Sequence, residues 1–294
     1  MLSPSIDKPV KSAIAVAALR AASSREKNRT IANPDHLAKY FVRGAYSLIL
    51  AMPKKISRAI IERISPGSYC YFLARTQFID HHFRNAIESN FKQIVILGAG
   101  YDTRASRLLD RHSDVLVYEI DLPNTQQDKI EKMKQNNFPD IVNVRYIPQD
   151  FNNCSLKEVL KNHNFDFSQP ALFIFEGISY YLEENSNSEI FKLISSECAK
   201  NSRIVFDYSL KSFVEGDTTT YGSKKMQAWL RKNNEPFKFG LQKSEIKSYL
   251  NDLGLSLFED IGSQELSTRY LTPKNGNSIG KPLGHLRLAV ATNV

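Results

Sequence analysis

The sequence predicts an α/β protein in which a mostly parallel sheet is flanked by helices. Beyond residue 90, short apolar runs that are typical of buried strands alternate with helical stretches, and this alternation indicates parallel strands joined by crossover helices. The runs lie at 94–97, 115–120, 142–147, 171–175 and 203–206. The preceding third of the chain has isoleucines at helical spacing that stop at Ser65-Pro66-Gly67.

Two parts of one compact domain are expected. Residues 1–90 are predicted to form a helical N-terminal cap, or lid, and residues 91–294 an α/β core with a lid insertion near 210–240. Late in the core, the pattern predicts a helix from Ser244 to Leu253 and then two closing strands. A chain of 294 residues with 42% apolar and 24% charged residues is ordinary for a globular protein of this kind.

A glycine turn follows the first strand of the core, Ile94 to Leu97. Gly98 and Gly100, on either side of Ala99, allow the backbone to turn sharply and to approach a ligand closely. The residues after Asp102 are predicted to form a helix. This strand, turn and helix are typical of a nucleotide-binding site.

The second strand ends at Asp121, about twenty residues beyond the glycines, where a carboxylate can accept hydrogen bonds from both hydroxyls of a ribose. An adenosine ligand is therefore expected. Thr103 stands where a dinucleotide-binding turn has its third glycine, which argues against a pyrophosphate and favours S-adenosylmethionine. Ordinary turn glycines and a solvated strand-end aspartate would give the same pattern.

Several motifs in order resemble one enzyme family. The segments VILGAGYDTRASRL, YEIDLP and FIFEGISYYL are similar to those of the leucine carboxyl methyltransferase superfamily, in its bacterial S-adenosylmethionine-dependent branch. AIAVAALRAASS and ARTQFID upstream, and FKFGLQKSEIKSYLNDLG and LRLAVATN downstream, extend the resemblance from about Ala13 to the C-terminus. The resemblance implies a class I methyltransferase (Rossmann-like) fold with a closing antiparallel strand, and S-adenosylmethionine as cofactor.

The ends of the first three strands provide the expected cofactor contacts. The turn at 98–100 would pass beside the methionine part of the cofactor, and Asp121 would bind the ribose. Asp150 can accept hydrogen bonds from the adenine amino group, while Phe151 lines the apolar edge of the ring; the family has this pair too. The alternative for this pair is a helix N-cap aspartate and a core phenylalanine.

Charged residues elsewhere complete the predicted site. The resemblance implies that Arg75 binds the cofactor carboxylate, for which a planar guanidinium is suited, and that Glu176 binds its amino group. Each could instead form an ordinary ion pair. Tyr180 and Tyr181 would line the acceptor pocket or pack on the lid, and together with Glu176 they are the candidate catalytic residues. Arg104 receives no assignment beyond a pair with Asp102 or a place against the sheet.

Charge and cysteine content argue against other classes of partner. The net charge is +8, but the basic residues are dispersed, so a nucleic-acid partner is not expected. Only eight uncharged residues separate Lys11 from Arg20, too few for a membrane span, and a cytoplasmic location is expected. Cys70, Cys154 and Cys198 lie too far apart in sequence to suggest a metal site.

The predicted function is methyl transfer from S-adenosylmethionine to a carboxylate or hydroxyl oxygen of a small molecule or peptide. A carboxylate is already ionised at neutral pH, whereas a hydroxyl needs a general base, and the sequence identifies no such base. Asn33 departs from the family's paired acids before proline, so that segment carries no inference about the substrate. The alternatives are a non-catalytic S-adenosylmethionine-binding protein and a nicotinamide-dependent oxidoreductase.

Overall fold

The computed structural model describes residues 11–110, 112–139, 143–150 and 155–294. Within these residues, seven strands form the sheet: β1 (Gln93–Leu97), β2 (Leu116–Asp121), β3 (Val144–Pro148), β4 (Ala171–Phe175), β5 (Arg203–Ser209), β6 (Ser256–Ile261) and β7 (Leu286–Thr292). The helices are α1 (Lys11–Ser23), α2 (Ala45–Ala51), α3 (Lys54–Ile64), α4 (Ser68–Glu88), α5 (Arg104–Leu108), α6 (Pro123–Gln135), α7 (Leu156–Asn162), α8 (Glu184–Ser196), α9 (Lys211–Val214), α10 (Ser223–Asn233), α11 (Ile246–Asp252) and α12 (Ser263–Tyr270).

The strand order is β3-β2-β1-β4-β5-β7-β6. Strands β1 to β5 are parallel, and β7 pairs antiparallel with both β5 and β6. The sequence prediction of an α/β fold with a mostly parallel sheet and a closing antiparallel strand is thus confirmed. The order reverses between β1 and β4, and in open α/β sheets such a switch point leaves a crevice at the carboxyl ends of the strands.

Both faces of the sheet are covered, which explains the continuous apolar runs in its central strands. Every residue of β1 and β4 is buried. Ile94 and Ile96 join a hydrophobic cluster that includes α4, while Val95 and Leu97 join a cluster on the opposite face that includes α8. The two faces follow from the alternation of side chains along a strand.

The N-terminal helices differ in how deeply they are packed. α4 buries most of its 21 residues and packs against α1, and its side chains share one hydrophobic cluster with strands of the sheet. By contrast, α2 buries none of its residues and α3 only Ser57. Among the residues described, no helix combines the length and apolarity needed to cross a bilayer.

Candidate functional site

The turn after β1 depends on two glycines in the left-handed region. Gly98 has φ +60° and Gly100 φ +50°, which side chains rarely adopt. A Cβ on Gly98 would lie 1.6 Å from Ile178 Cδ1, so the absence of a side chain at Gly98 leaves room for Ile178, which comes shortly after β4. A Cβ on Gly100 would meet nothing closer than 3.9 Å. The second glycine therefore keeps its backbone accessible.

Asp121, at the end of β2, holds this turn in place. Its Oδ2 accepts a hydrogen bond from the Gly100 N–H at 2.5 Å, and its Oδ1 accepts one from the Leu122 N–H at 2.6 Å. Burial raises the pKa of Asp121, and these two N–H groups oppose the rise. Since a carboxylate has about four acceptor positions, the two oxygens keep capacity for further donors.

Glu176, which directly follows β4, lies between two buried guanidinium groups. Its Oε1 is 2.9 Å from Arg75 Nη2, and its Oε2 is 2.7 Å from Arg104 Nη1. Burial alone would raise the pKa of Glu176, but the charges of Arg104, Arg75 and Arg20 together lower it to about 2. The carboxylate is therefore held in its ionised form. Arg104 also pairs with Asp102, as the sequence suggested, and its contact with Glu176 was not foreseen.

Arg75 is anchored by an acid that sequence reasoning missed. Asp207, in β5 and fully buried, accepts hydrogen bonds from Arg75 Nη1 at 2.7 Å, from the Tyr71 hydroxyl at 3.1 Å and from the Gly177 N–H at 2.6 Å. Burial raises the pKa of Asp207, while the Arg75 charge and the Gly177 N–H oppose the rise. Both terminal nitrogens of Arg75 thus have partners within the protein, whereas its buried Nε has none among the described residues.

Arg20 of α1 is a second cation that sequence reasoning did not assign to the site. It is 5% exposed, donates to the Tyr101 carbonyl at 2.8 Å and pairs with Asp35 at 3.3 Å. Its Nε is buried, with no hydrogen-bond partner in the described part of the chain. The sequence signal for this residue is a single arginine among the alanines of α1.

Tyr180 and Tyr181 both line the site and both pack against the segment after α10. The Tyr180 ring lies 4.2 Å from the Phe237 ring, centroid to centroid, and the Tyr181 ring 5.1 Å from it. Burial raises the pKa of both tyrosines. Both tyrosines therefore line the cavity and also contact Phe237, which lies within the segment near 210–240 that the sequence predicted as a lid insertion.

These groups meet in a cavity of about 440 Å³, within the usual size range of small-molecule sites. Phe151 lies outside the described residues. The other sequence-predicted site residues all line the cavity: Arg75, Gly98, Ala99, Gly100, Asp121, Asp150, Glu176, Tyr180 and Tyr181.

The described lining has an excess of negative charge. Its carboxylates belong to Asp102, Asp121, Asp150 and Glu176, and its guanidinium groups to Arg20 and Arg75. Enclosed charges of one sign raise the local concentration of the opposite sign, so the cavity favours a ligand with a net positive charge.

Comparisons with known proteins identify the family of this chain. The family model described as leucine carboxyl methyltransferase matches residues 13–195, more than half of the chain. The Bacillus subtilis (strain 168) protein YktD, to which S-adenosyl-L-methionine-dependent methyltransferase activity is attributed, is 27% identical over 226 residues, covering 76% of this chain and 73% of the relative. A Mycobacteroides abscessus protein with the same attribution is 30% identical over 234 residues, covering 74% of this chain and 71% of the relative.

Solved structures share the fold. A crystal structure of a protein from Thermobifida fusca, to which methyltransferase activity is attributed, matches with a TM-score of 0.61 and 15% identity, covering 99% of this chain and 97% of that one. A DUF574 family protein from Streptomyces avermitilis matches with a TM-score of 0.58 and 11% identity, covering 95% and 97%.

Proposed function

The chain belongs to the leucine carboxyl methyltransferase family and is an S-adenosylmethionine-dependent methyltransferase, and we propose that it methylates an oxygen, of a carboxylate in preference to a hydroxyl. The observation that carries the proposal is the convergence of the glycine turn, Asp121 and the Glu176 carboxylate on one cavity with a net negative lining. S-adenosylmethionine fits that lining because its sulfonium and ammonium outweigh its carboxylate. When bound, it supplies an electrophilic methyl group.

We assign the cofactor contacts as follows. Gly98, Ala99 and Gly100 pass beside the methionine part, where the open space at Gly100 permits close approach. Asp121 accepts hydrogen bonds from the ribose, and Asp150 contacts the adenine, with Phe151 as its expected neighbour.

The amino-acid end of the cofactor faces the ionic cluster. Glu176, ionised because its pKa is about 2, binds the ammonium. The unpartnered Nε groups of Arg75 and Arg20 supply donors for the carboxylate. In this assignment Glu176 is a poor base, since a carboxylate with so low a pKa seldom takes a proton at neutral pH.

The preference for a carboxylate acceptor rests on the groups available to remove a proton. Within the described lining there is no histidine, lysine or cysteine. Tyr180 and Tyr181 have raised pKa values, which leaves them protonated. A carboxylate needs no base, because it is ionised at neutral pH. The enzyme then contributes alignment and exclusion of water, and Tyr180, Tyr181 and Glu176 act by positioning.

Calorimetric binding of S-adenosylmethionine, S-adenosylhomocysteine and a reduced nicotinamide dinucleotide tests the cofactor site. We expect binding of the first two only, and weakening by at least about tenfold, or about 1.4 kcal/mol, in Arg75→Ala and in Asp121→Ala. Asp114→Ala is the control, because Asp114 lies before the other end of β2 and is 70% exposed. Unchanged affinity in both site variants would overturn the assignment.

A second assay tests the acceptor atom. With radiolabelled methyl groups on the cofactor, a methyl ester releases labelled methanol on mild alkaline treatment, whereas a methyl ether or methylamine retains its label. Base-labile product is expected. Exclusively base-stable product would overturn the carboxylate preference.

A further inference from the structure

We propose that the acceptor is an apolar small molecule ending in a carboxylate, of the fatty-acid or arylalkanoic-acid class, rather than a peptide C-terminus. This inference rests on the proposed function, because it concerns the part of the same cavity that lies beyond the cofactor contacts. It is carried by three lining elements to which no cofactor contact is assigned, namely α2, α3 and α10.

Helix α2 turns apolar residues toward the cavity, and Leu50 among them also packs against the hydrophobic cluster that contains α4. Tyr46, Ile49 and Leu50 line the cavity, yet no residue of α2 is buried. Leu48, on the other side of the helix, is 68% exposed. A helix with so little burial within the fold gains stability when an apolar ligand covers its inner face.

The other two helices, α3 and α10, also turn apolar residues toward the cavity. α3 contributes Ile61 and Ile64, and α10 contributes Met226 and Trp229. No charged side chain of these two helices, or of α2, belongs to the described lining. Of the described lining residues that these three helices contribute, Tyr46 and Trp229 are the ones with a hydroxyl or N–H in the side chain.

These apolar walls discriminate against acceptors that carry polar groups along their length. Each buried peptide N–H or C=O that finds no partner costs about 1–3 kcal/mol. Polymethylene or aromatic groups carry no such cost and gain about 0.8 kcal/mol for every CH₂ removed from water. The lining therefore favours a body without amides.

An apolar surrounding also suits the chemistry. A carboxylate oxygen donates its electron pair to form the O–CH₃ bond while the S–CH₃ bond breaks and its electron pair returns to sulfur; no proton is transferred. Two opposite charges disappear in this step. Exclusion of water removes the solvation that stabilises the separated charges, so the apolar walls lower the barrier for a bound carboxylate.

The test is a homologous series of acceptors: acetate, butyrate, hexanoate, octanoate and decanoate, with phenylpropionate and a short peptide ending in a free leucine carboxylate. The rate at which base-labile product forms from each acceptor gives its kcat/KM. We expect an increase of about fourfold per methylene until the cavity is filled, which is the fold-change equivalent of 0.8 kcal/mol per CH₂. The peptide should be a far poorer acceptor than decanoate.

A matched pair of variants locates the effect. Ile49→Ser should raise KM for decanoate by about tenfold while leaving acetate unchanged, whereas Leu48→Ser, one residue away on the exposed side of α2, should change neither. Trp229 is the only tryptophan in the chain, so its emission reports acceptor binding directly. With S-adenosylhomocysteine bound, decanoate should shift this emission and acetate should not.

The outcomes separate the two proposals. Absence of S-adenosylmethionine binding overturns the proposed function. If the cofactor binds but kcat/KM is independent of chain length, if the peptide matches decanoate, or if no acid is methylated, the proposed function's cofactor site stands and the apolar-acid inference is wrong. Chain-length dependence that Ile49→Ser reduces and Leu48→Ser preserves supports the inference.

Discussion

Substitution of Asp207 by asparagine should weaken both the fold and the cofactor site. Asparagine keeps the shape of the side chain but removes the charge and replaces one acceptor oxygen with a donor. In the native protein the two carboxylate oxygens accept from Arg75, Tyr71 and the Gly177 N–H. Whichever way the amide is turned, its NH₂ group faces a donor that it cannot bind.

The expected loss in the free energy of unfolding follows from the burial of the ion pair between Asp207 and Arg75. Removing one partner of a buried ion pair costs about 3–5 kcal/mol, and we expect the lower end, about 3 kcal/mol, because Arg75 keeps its contact with Glu176 at 2.9 Å. In a protein of 294 residues that loss lowers Tm by about 5 °C. Arg75 and Gly177 both line the cavity, so we also expect about tenfold weaker binding of S-adenosylmethionine, equal to about 1.4 kcal/mol.

Urea denaturation and calorimetry measure the two effects. Asp260→Asn is the matched control, because Asp260 pairs with Arg287 at 2.8 Å, both side chains are 9% exposed, and neither residue lines the cavity. This control should lose stability and keep its cofactor affinity. Native affinity in Asp207→Asn, or an equal loss of affinity in Asp260→Asn, would refute the reasoning.

Three further outcomes follow from the electrostatics and the turn. The pKa of Glu176 is lowered to about 2, so its ionised form contributes about 3 kcal/mol to the free energy of unfolding above pH 4.5, and this contribution is lost as pH falls from 4.5 toward 2. The difference in stability between wild type and Glu176→Gln should therefore narrow over that pH range. A constant difference in urea titrations would contradict this. Burial lowers the pKa of His285 to about 3, so the free energy of unfolding should decrease below pH 6.5, by about 2 kcal/mol at pH 5. His285→Leu should abolish that part of the pH dependence. An identical pH profile in the variant would show that another group is responsible. Gly98→Ala places a Cβ 1.6 Å from Ile178 Cδ1 and should lower the free energy of unfolding by about 2–4 kcal/mol. Gly100→Ala meets no such contact and should lower it by about 1–2 kcal/mol, because only the left-handed backbone conformation is unfavourable for alanine. Equal losses of stability on urea denaturation would argue against the close contact at Gly98.

The strands could be predicted because each is a local pattern. The predicted runs at 94–97 and 171–175 match β1 and β4 to within one residue, since strands buried on both faces are continuously apolar. The run at 203–206 was predicted to end too early, because β5 continues through Asp207 to Ser209. An acid within an apolar strand looks like the end of that strand, and this is why the anchor of Arg75 was missed.

The site was predictable where a residue's position along its own strand implies its place in the fold. Asp121 ends β2 and Glu176 directly follows β4, and both strands pair in parallel with β1, so their convergence at the carboxyl edge of the sheet could be foreseen. Arg20 could not be placed in this way, because the carbonyl it binds, that of Tyr101, lies 81 residues further along the chain. The same holds for the contact between Arg104 and Glu176.

The sequence by itself determined the alternation of strands and helices, the glycine turn and the acid at the end of the second strand, since hydrophobic periodicity and backbone freedom act over a few residues. Only the tertiary structure decided which charges neutralise one another and which helices leave an apolar face toward the cavity. Pairing of buried charges depends on distances between residues far apart in the chain, and the cost of burying an unpaired charge makes those distances decisive.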